Sequence, residues 1–428
     1  MKIDFFSALS RPEYECLEFH DESKLSNQQR NEVFECVRKC LFLLLEGIGH
    51  QQQIIPADER LRHDLDNWVQ EHLTHLFPEK LQALKVLVDT SAQVGEYFYA
   101  HCSHETKLVM AITTLILFAS DDDTLLSPEE RNRLSSFSCN DGYSPPDASP
   151  WTAVLTHGLQ LGAEYFGSKD PLVGSLSANA IRGFTEACTM EYRMEQGDLP
   201  VHLTIHGKPH PSSEWCAAEA FPGYLRSMSG ISFHYIPPIF KYSRTEEVPS
   251  PYWLGVAPVV RNFIDYTNDL LSYPKEVLDG EIRNYLLLAT RARRVAGRSS
   301  MFGSKLWTFR DTFCETLENV QNIIFALDRA FTNYMPADNN APEDNNKTQD
   351  DPNAQLAAKC WFSFRQNFIS FHLESKRYGL DRLAFERNNC TVEELCAPKH
   401  KPMNAACVGA ATAGLFLIST LGYRYFCK

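Results

Sequence analysis

Three oxygen-bearing side chains follow one another at four-residue steps in the segment NDLLSYPKE, residues 268–276: Asn268, Ser272 and Glu276. Each step advances an α-helix by about 40° beyond a full turn and about 6 Å along its axis, so the three side chains share one helix face. Amide, hydroxyl and carboxylate oxygens are poor zinc ligands but suit Mg²⁺, which also keeps waters that a phosphate can replace. Lys275 could contact that phosphate as a point charge. The segment favours a magnesium site, and a solvated polar helix face is the alternative.

A second oxygen cluster, Asp121, Asp122 and Asp123, follows the apolar run LVMAITTLILFAS, residues 108–120. The stretch SPEE, residues 127–130, is typical of a helix start, with Ser at the N-cap, Pro at N1 and Glu at N3. The aspartates are therefore expected at the C-terminal end of the preceding helix, where they oppose its dipole at a cost of roughly 0.3–1 kcal/mol each. Bound cations would remove that cost. An Asx turn made by Asp122 or Asp123 is the alternative.

The elements that must position both clusters are helices. Apolar residues recur at three- and four-residue spacing in several long stretches, and alternating strand patterns are almost absent. The predicted helices cover residues 26–45, 78–94, 108–119, 171–194, 252–273, 304–334 and 354–378. The pattern predicts an all-α domain over residues 26–390, preceded by an N-terminal segment, residues 1–25, with long helices arranged around a central space.

Two further segments differ in composition from this domain. Residues 335–355 are rich in Asn, Asp and Pro and are predicted to form a mobile acidic loop. Residues 391–428 form a tail that contains the uncharged stretch AACVGAATAGLFLISTLG, residues 405–422. Its length, about 18 residues, is near the lower limit for a helix that crosses a bilayer. A membrane anchor and a buried or amphipathic helix both remain open for this stretch.

Composition excludes several classes of protein. The net charge of -13, from 41 basic and 54 acidic residues, leaves no basic stripe for a nucleic acid, so no nucleic-acid partner is expected. The N-terminal sequence MKIDFFSALSRPEYE lacks the long apolar core of a secretory signal. Thirteen scattered cysteines without a CxxC pair favour reduced thiols. A cytoplasmic protein is expected, with membrane contact through residues 405–422 still open.

The order of these segments resembles that of class I terpene synthases. Asp121 and Asp122 come first, NDLLSYPKE follows, and the Arg377–Tyr378 pair lies in HLESKRYGL. The arrangement is most similar to the fungal trichodiene synthase family of sesquiterpene cyclases, as are FTEACTMEY, residues 184–192, and YLRSMSGI, residues 224–231. The resemblance covers roughly residues 85–385. Its most specific motif is N-D-x-x-S-x-x-K-E, whereas the Arg-Tyr pair is weak alone.

The resemblance implies a helical bundle around a central active-site cavity that holds more than one Mg²⁺. Asp121 and Asp122 would bind Mg²⁺ from one wall of that cavity. Asn268, Ser272 and Glu276 would bind another Mg²⁺ from the facing wall.

The resemblance also implies which residues meet the diphosphate of the substrate. Arg226 is similar to the diphosphate sensor of the family, and Lys275, Arg377 and Tyr378 are similar to its donors to the diphosphate oxygens. These four are therefore the candidate catalytic residues.

The sequence departs from the family pattern at two positions. The aspartate motif is usually D-D-x-x-D or D-D-x-x-E, but Leu125 occupies its fifth position, so the first metal cluster is expected to rest on fewer carboxylates. Pro274 removes a backbone donor within the second motif and is expected to bend or end the helix before Glu276.

The implied reaction is the Mg²⁺-dependent ionisation and cyclisation of farnesyl diphosphate to a sesquiterpene hydrocarbon or alcohol. Metal ions with Arg and Lys would stabilise the leaving diphosphate, and aromatic faces would stabilise the carbocation in a pocket that excludes water. An ordinary core position is favoured for each of the candidate wall residues, which are Phe98, Phe118, Phe184, Tyr192 and Trp361.

Other interpretations remain. Geranyl or geranylgeranyl diphosphate is an alternative substrate, and a homodimer is a further open expectation. A non-catalytic helical binding protein tethered by its C-terminal tail is the alternative from another class. The histidines of HLTIHGKPH, residues 202–210, are a weaker alternative metal site, because Gly207 and Pro209 favour a loop there.

Overall fold

The computed structural model describes residues 2–122, 124–134, 149–196, 217–279, 284–332 and 351–380. Within these ranges the regular structure is helical, and extended residues pair only in an isolated bridge between Lys241 and Glu247. The described residues belong to a single compact unit. The predicted all-α class is confirmed, whereas the limits of the predicted domain stay a prediction.

The helices follow one another along the chain with short 3-10 turns between some of them. They are α1 (Phe5–Leu9), α2 (Asn27–Gly47), α3 (Glu59–His72), α4 (Leu81–Phe98), α5 (His104–Asp121), α6 (Pro128–Arg133), α7 (Pro150–Phe166), α8 (Pro171–Gln196), α9 (Ala217–Ser229), α10 (Ser232–Tyr235), α11 (Ala257–Asp279), α12 (Tyr285–Val295), α13 (Phe309–Thr332) and α14 (Pro352–Glu374). Every predicted helix has a counterpart, in α2, α4, α5, α8, α11, α13 and α14. The prediction omitted α1, α3, α7, α9, α10 and α12, and gave only the start of α6.

Side-chain caps explain where two of the helices begin. At the start of α2, Ser26 Oγ accepts a hydrogen bond from the Gln29 N–H at 3.3 Å, and Gln29 Oε1 accepts one from the Ser26 N–H at 2.9 Å. The predicted capping box of Ser127 and Glu130 starts α6 in the same way. The aspartate cluster therefore falls between α5 and α6, as predicted.

Helix α5 brings the first cluster out of the core. It is buried over most of its length, including Met110, Leu115 and Ala119, and it packs against α4 and α7. A helix that is apolar on all sides belongs in the interior of a bundle. Because α5 ends at Asp121, which is exposed, it carries a carboxylate from the core to the surface.

Helix α11 carries the whole NDLLSYPKE segment and packs against α2, α13 and α14. Pro274 was expected to bend or end this helix; it does not end it, because α11 continues to Asp279, and the bend stays a prediction. Proline removes only one backbone donor, and Tyr273, just before it, and Val277, three residues after it, are fully buried at 0% exposure, so tertiary packing holds the last turns. The three predicted metal ligands consequently lie on one continuous helix.

The first 25 residues, predicted as a separate segment, pack against α11 and α13. Phe19 stacks on Phe309 with ring centroids 4.7 Å apart, and Phe309 stacks on Tyr273 at the same distance. The Tyr273 hydroxyl donates a hydrogen bond to Glu22 Oε2 at 3.2 Å. The N-terminal segment thus supports α11 at the middle of its polar motif.

The predicted loop over residues 335–355 lies outside the described residues as far as residue 350. The prediction is wrong for Pro352 to Gln355, which form the first turn of α14. Asp351 caps this helix and proline occupies N1, a combination typical of a helix start. Residues 202–210 and 405–422 also lie outside the described residues. Of the helices that the structure describes, none is long and apolar enough to cross a membrane.

Candidate functional site

Arg226 on α9 lies at the centre of a buried polar cluster. Its Nε is 2.7 Å from Asp269 Oδ1 on α11, an ion pair in which the N–H is not aligned for a hydrogen bond. Its Nη2 donates to the backbone carbonyl of Asp265 and to Asn268 Oδ1, both at 3.1 Å. Both aspartates are buried, so the guanidinium is their counter-charge. The arrangement fixes Arg226 against the predicted metal face of α11.

Burial and charge oppose each other in this cluster. Burial raises the pKa of Asp269 to about 6, although the Arg226 charge lowers it. Burial also raises the pKa of Asp265, although the Arg226 charge and a hydrogen bond from Ser232 lower it. Burial lowers the pKa of Arg226, but the charges of Asp269 and Asp265 outweigh that effect and its pKa lies above the ordinary value. Arg226 is therefore protonated.

The turn after α9 allows this close approach. A Cβ at Gly230 would lie 2.1 Å from Asp265 Oδ1 and 2.8 Å from Arg226 Nη1, so only glycine fits there. The next residue, Ile231, has a φ of 54°, a left-handed conformation that is rare for a β-branched residue. Ser232 then donates from its Oγ to Asp265 Oδ1 at 2.5 Å. The segment YLRSMSGI is thus shaped to hold Arg226 against α11.

The side-chain amide of Asn268 has one orientation in this network. Arg226 can only donate, so the amide atom that it contacts is the oxygen, Oδ1. Nδ2 then lies 3.1 Å from His372 Nε2, and His372 Nδ1 lies 2.8 Å from the carbonyl oxygen of Phe368. Burial lowers the pKa of His372 to about 4. The ring is therefore neutral near pH 7, with its proton on Nδ1.

Tyr378 closes the same cluster from the C-terminal side. It is buried, and its ring centroid is 4.6 Å from that of His372. Burial raises its pKa, the Arg377 charge lowers it, the Glu276 charge raises it, and a hydrogen bond with Asn268 lowers it. Tyr378 therefore lies within reach of three other residues that the sequence assigned to the site.

Arg377 connects the two predicted walls. The predicted helix over residues 354–378 ends earlier, at Glu374, because Ser375 is extended, and Arg377 and Tyr378 lie in the turn that follows. Arg377 is exposed, and its guanidinium carbon is 5.3 Å from the ring centre of Phe118 on α5. Phe118 precedes Asp121 by about one helical turn. The Arg-Tyr pair thus reaches from α11 to the end of α5.

The end of α5 is built differently. Asp121 is its last residue, and Cys188 Sγ on α8 lies 3.9 Å from Asp121 Oδ1. Asp122 is extended, and its Oδ1 accepts hydrogen bonds from the Thr124 N–H at 2.7 Å and the Thr124 hydroxyl at 2.5 Å. Asp122 therefore forms the Asx turn that was the alternative to metal binding. Asp123 lies outside the described residues.

Leu125, in the fifth position of the aspartate motif, is used for packing. It is only 1% exposed and lines a cavity of about 280 Å³ together with Lys80 and Trp151. Its carbonyl accepts a hydrogen bond from Lys80 Nζ at 2.9 Å. The departure from the family pattern therefore has a structural role in the connection between α5 and α6.

The remaining predicted ligands lie on α11. Ser272 is buried, whereas Lys275 and Glu276 are half-buried. No group of three His, Cys, Asp or Glu side chains in the described part of the chain could hold a metal ion by itself. Asn268, Ser272 and Glu276 instead offer an amide, a hydroxyl and a carboxylate oxygen on one helix face. This donor set fits Mg²⁺, which completes its shell with water or phosphate oxygens.

The predicted wall aromatics have different surroundings. Phe118 is half-buried beneath Arg377, and Phe98 is buried with its ring centroid 6.4 Å from that of His372. Trp361 is fully buried, and its Nε1 donates to Asp328 Oδ1 at 2.9 Å, as a core residue would. The other two predicted wall aromatics lie on α8. Phe184 is buried, and the ring centre of Tyr192 is 5.5 Å from the guanidinium carbon of Arg131. Phe98 and Phe118 therefore lie nearest the assembled residues.

Three residues of the cluster, Asp265, Asp269 and His372, were not among the predicted site residues. The aspartates are four residues apart on α11, and Asp269 lies inside the NDLLSYPKE segment itself. That spacing is a signal for a shared basic partner. His372 had no comparable signal, because its partner is 104 positions away in the chain.

Two curated relatives of the chain agree with the resemblance. No family model matches the chain. Terpene synthase BipA of Cochliobolus sativus is 24% identical over 283 residues, which cover 66% of this chain and 71% of BipA. α-Cuprenene synthase COP6 of Coprinopsis cinerea is 31% identical over 166 residues, 39% of this chain and 40% of COP6, so less than half of that protein is matched. Among solved structures, the chain is similar to a single-substitution variant of cucumene synthase, with 15% identity and a TM-score of 0.45. The similarity covers 80% of this chain and 98% of the cucumene synthase chain.

The chain is thus similar to fungal terpene synthases, and its predicted resemblance to terpene synthases is confirmed. The similarity supports terpene cyclase activity. The particular closeness to the trichodiene synthase family stays a prediction.

Proposed function

We propose that the protein is a sesquiterpene synthase. It ionises and cyclises farnesyl diphosphate with Mg²⁺ and releases diphosphate and a sesquiterpene hydrocarbon or alcohol. The observation that carries this proposal is the convergence of Arg226, Asn268 and Tyr378 in one buried cluster, with Glu276 and Arg377 close enough to shift the pKa of Tyr378. These residues come from three separate parts of the chain. The similarity to terpene synthase BipA and α-cuprenene synthase COP6 supports the same class of reaction.

Two sets of side chains would hold the metal ions. Asn268, Ser272 and Glu276 supply oxygen ligands from α11, and Asp121 and Asp122 supply carboxylates from the end of α5. Bound Mg²⁺ would act as a Lewis acid toward the diphosphate leaving group.

The basic and hydroxyl groups of the chain would bind the diphosphate. Arg226 is protonated and half-buried, and its guanidinium can exchange a carboxylate partner for a diphosphate oxygen. Lys275, Arg377 and Tyr378 supply further donors. When the carbon–oxygen bond breaks, the electron pair leaves with the diphosphate, and donors already aimed at that group stabilise the developing charge. No side chain has to act as a nucleophile.

The aromatic residues next to this cluster would protect the cation. Phe98 and Phe118 approach the site from α4 and α5, and Arg377 lies over the Phe118 ring. An aromatic face stabilises a desolvated cation by about 2 kcal/mol or more. Exclusion of water keeps the cation from being quenched before its rings close.

The proposal is tested by incubating the purified full chain with geranyl, farnesyl or geranylgeranyl diphosphate, with and without Mg²⁺. The volatile extracts are analysed by gas chromatography and mass spectrometry. A cyclic sesquiterpene from farnesyl diphosphate, formed only with Mg²⁺, is the expected result. If cyclic products form only from geranyl or only from geranylgeranyl diphosphate, that diphosphate replaces farnesyl diphosphate as the proposed substrate.

The absence of product from all three substrates, with a folded protein, would contradict catalysis and favour a binding protein. A folded protein that inorganic diphosphate and Mg²⁺ do not stabilise would contradict the site as well. A ligand at a hundred times its dissociation constant should raise the free energy of unfolding by about 2.7 kcal/mol.

A further inference from the structure

A directed chain of hydrogen bonds runs through the α11 wall. Its first group, the Arg226 guanidinium, can only donate, and its last group, the Phe368 carbonyl, can only accept. Between them, Asn268 accepts at Oδ1 and donates from Nδ2, and His372 accepts at Nε2 and donates from Nδ1. The polarity of every bond is therefore fixed by the two ends.

We propose that His372 is a positioning residue that holds the amide of Asn268 with its oxygen, not its nitrogen, toward the metal and diphosphate site. The proposal rests on the proposed function, because it concerns the Mg²⁺ ligand Asn268. His372 itself contacts neither metal nor substrate.

The orientation matters because the two ends of an asparagine amide have nearly the same shape and opposite chemistry. Only Oδ1 can bind a cation, and it has two lone pairs, so that one accepts from Arg226 and the other remains for a metal ion. When Arg226 turns to a diphosphate, it no longer determines the orientation of the amide. The contact between Asn268 Nδ2 and His372 Nε2, 3.1 Å long, then retains it.

The surroundings of His372 suit it for this role. The side chain is 1% exposed and is packed between the rings of Tyr378 and Phe368, with centroid distances of 4.6 Å and 4.7 Å. Its Nδ1–H is fixed by the Phe368 carbonyl, one turn earlier on α14. A rotation of the ring would break the bonds at both nitrogens, so Nε2 is presented to Asn268 as an acceptor.

The test compares full-length variants in thermal unfolding with fixed inorganic diphosphate and increasing Mg²⁺. His372→Phe keeps the ring volume but removes the acceptor, whereas His372→Gln can still accept from Asn268. His234→Phe is the matched control, because His234 is also fully buried and bonded at both nitrogens, to Ser177 and Thr113. The measured quantity is the Mg²⁺ concentration that gives half of the diphosphate-dependent rise in Tm.

We expect His372→Phe to raise this Mg²⁺ concentration about 10- to 100-fold, the usual effect of losing a residue that orients a metal ligand. His372→Gln and His234→Phe should stay within about threefold of the wild type, although His234→Phe lowers the Tm measured without ligand. A wild-type value for His372→Phe, combined with a large shift for Asn268→Ala, would overturn the inference and leave the proposed function standing. A wild type that diphosphate and Mg²⁺ do not stabilise would overturn both.

A second comparison separates positioning from a general packing role. The two oxygens of Asp are equivalent, so Asn268→Asp needs no orienting partner. In that background, His372→Phe should change the half-maximal Mg²⁺ concentration by less than about threefold. The same large shift in both backgrounds would contradict positioning. If His372→Phe does not fold, His372→Leu, which is smaller, replaces it in both comparisons.

Discussion

The two walls of the candidate site are built in different ways. On the α11 wall, Asn268 is half-buried, accepts a hydrogen bond from Arg226 and donates one to His372, whose ring packs against Tyr378. On the α5 wall, Asp121 is exposed at the end of its helix. One carboxylate oxygen of its neighbour, Asp122, accepts the two hydrogen bonds from Thr124 that form a turn. One wall is held by its own side chains, and the other presents charge at the surface.

This difference suggests how the walls divide the work. Ligands that are locked by packing and hydrogen bonds can fix the geometry of a bound metal before the substrate arrives. On the α5 wall, Asp121 is exposed and Asp122 is held in a turn by Thr124, so these carboxylates contribute charge without being part of a buried cluster. We therefore expect substitutions on the α11 wall to have larger effects than equivalent substitutions on the α5 wall.

The largest effect is expected for Arg226→Ala. The substitution leaves Asp269 buried without its counter-charge, while Asp265 keeps only Arg261, 3.9 Å away, and the free energy of unfolding should fall by about 3–5 kcal/mol. Product formation should also fall, since the proposed diphosphate sensor is lost. Urea unfolding measures the first effect, with Arg377→Ala as the exposed control, expected within about 0.5 kcal/mol of the wild type. Equal stability of Arg226→Ala and wild type would show that the buried ion pair is absent in solution.

Asn268→Ala and Glu276→Ala should come next. Each removes a proposed metal ligand from the rigid wall, and turnover of farnesyl diphosphate should fall about 100- to 1000-fold, as when a preorganised stabilising group is lost. Circular dichroism checks that the fold is retained. Turnover close to wild type in both variants would remove the metal assignment on α11.

A smaller effect is expected from the protonation of His234, which should change the stability of the core but not the geometry of the two walls. Burial lowers the pKa of His234 to about 3, from an ordinary value of 6.5. The neutral ring therefore stabilises the fold above pH 6.5, and this contribution is lost as the pH falls below 6.5 toward 3. Between pH 7.5 and pH 5 the loss should be about 2 kcal/mol.

The measurement for His234 is urea unfolding of wild type and His234→Gln at both pH values. The wild type should lose about 2 kcal/mol more than the variant on acidification. Equal losses would show that the His234 ring is already protonated or exposed in the folded state. At pH 7.5, His234→Gln should leave the Mg²⁺ dependence of turnover unchanged, because the residue belongs to neither wall.

The smallest effect is expected on the α5 wall, for Asp122→Asn. The amide oxygen of Asn can still accept both bonds from Thr124, so the turn is kept while the charge is lost. Turnover should fall less than about tenfold, equivalent to about 1.4 kcal/mol. Asp122→Ala, which also loses the turn, should in addition lower stability by about 1 kcal/mol. A loss for Asp122→Asn as large as that for Asn268→Ala would contradict the proposed division between the walls.

The sequence could predict features that depend on near neighbours in the chain. The helical period placed Asn268, Ser272 and Glu276 on one face, and the capping box at Ser127 and Glu130 fixed where α5 must end. Both depend on residues only three or four positions apart. Local rules were less reliable at Pro274, where packing of distant residues around α11 outweighed the loss of one backbone donor.

The contacts that make the α11 wall rigid could not be predicted in the same way. Arg226 and Asn268 are 42 positions apart, and Asn268 and His372 are 104 apart, so no local pattern joins them. Gly230 had no signal either, because the need for glycine comes from the Asp265 carboxylate of another helix. Such contacts appear only when the helices are packed.

The most direct test of the account is a crystal structure of the full chain with Mn²⁺ and inorganic diphosphate, because Mn²⁺ takes the place of Mg²⁺ and has a measurable anomalous signal. We expect an anomalous peak bound by Asn268 Oδ1, Ser272 Oγ and the Glu276 carboxylate, with diphosphate contacting Arg226. Diphosphate-bound crystals without Mn²⁺ at these three oxygens would contradict the central claim that α11 forms the preassembled metal wall.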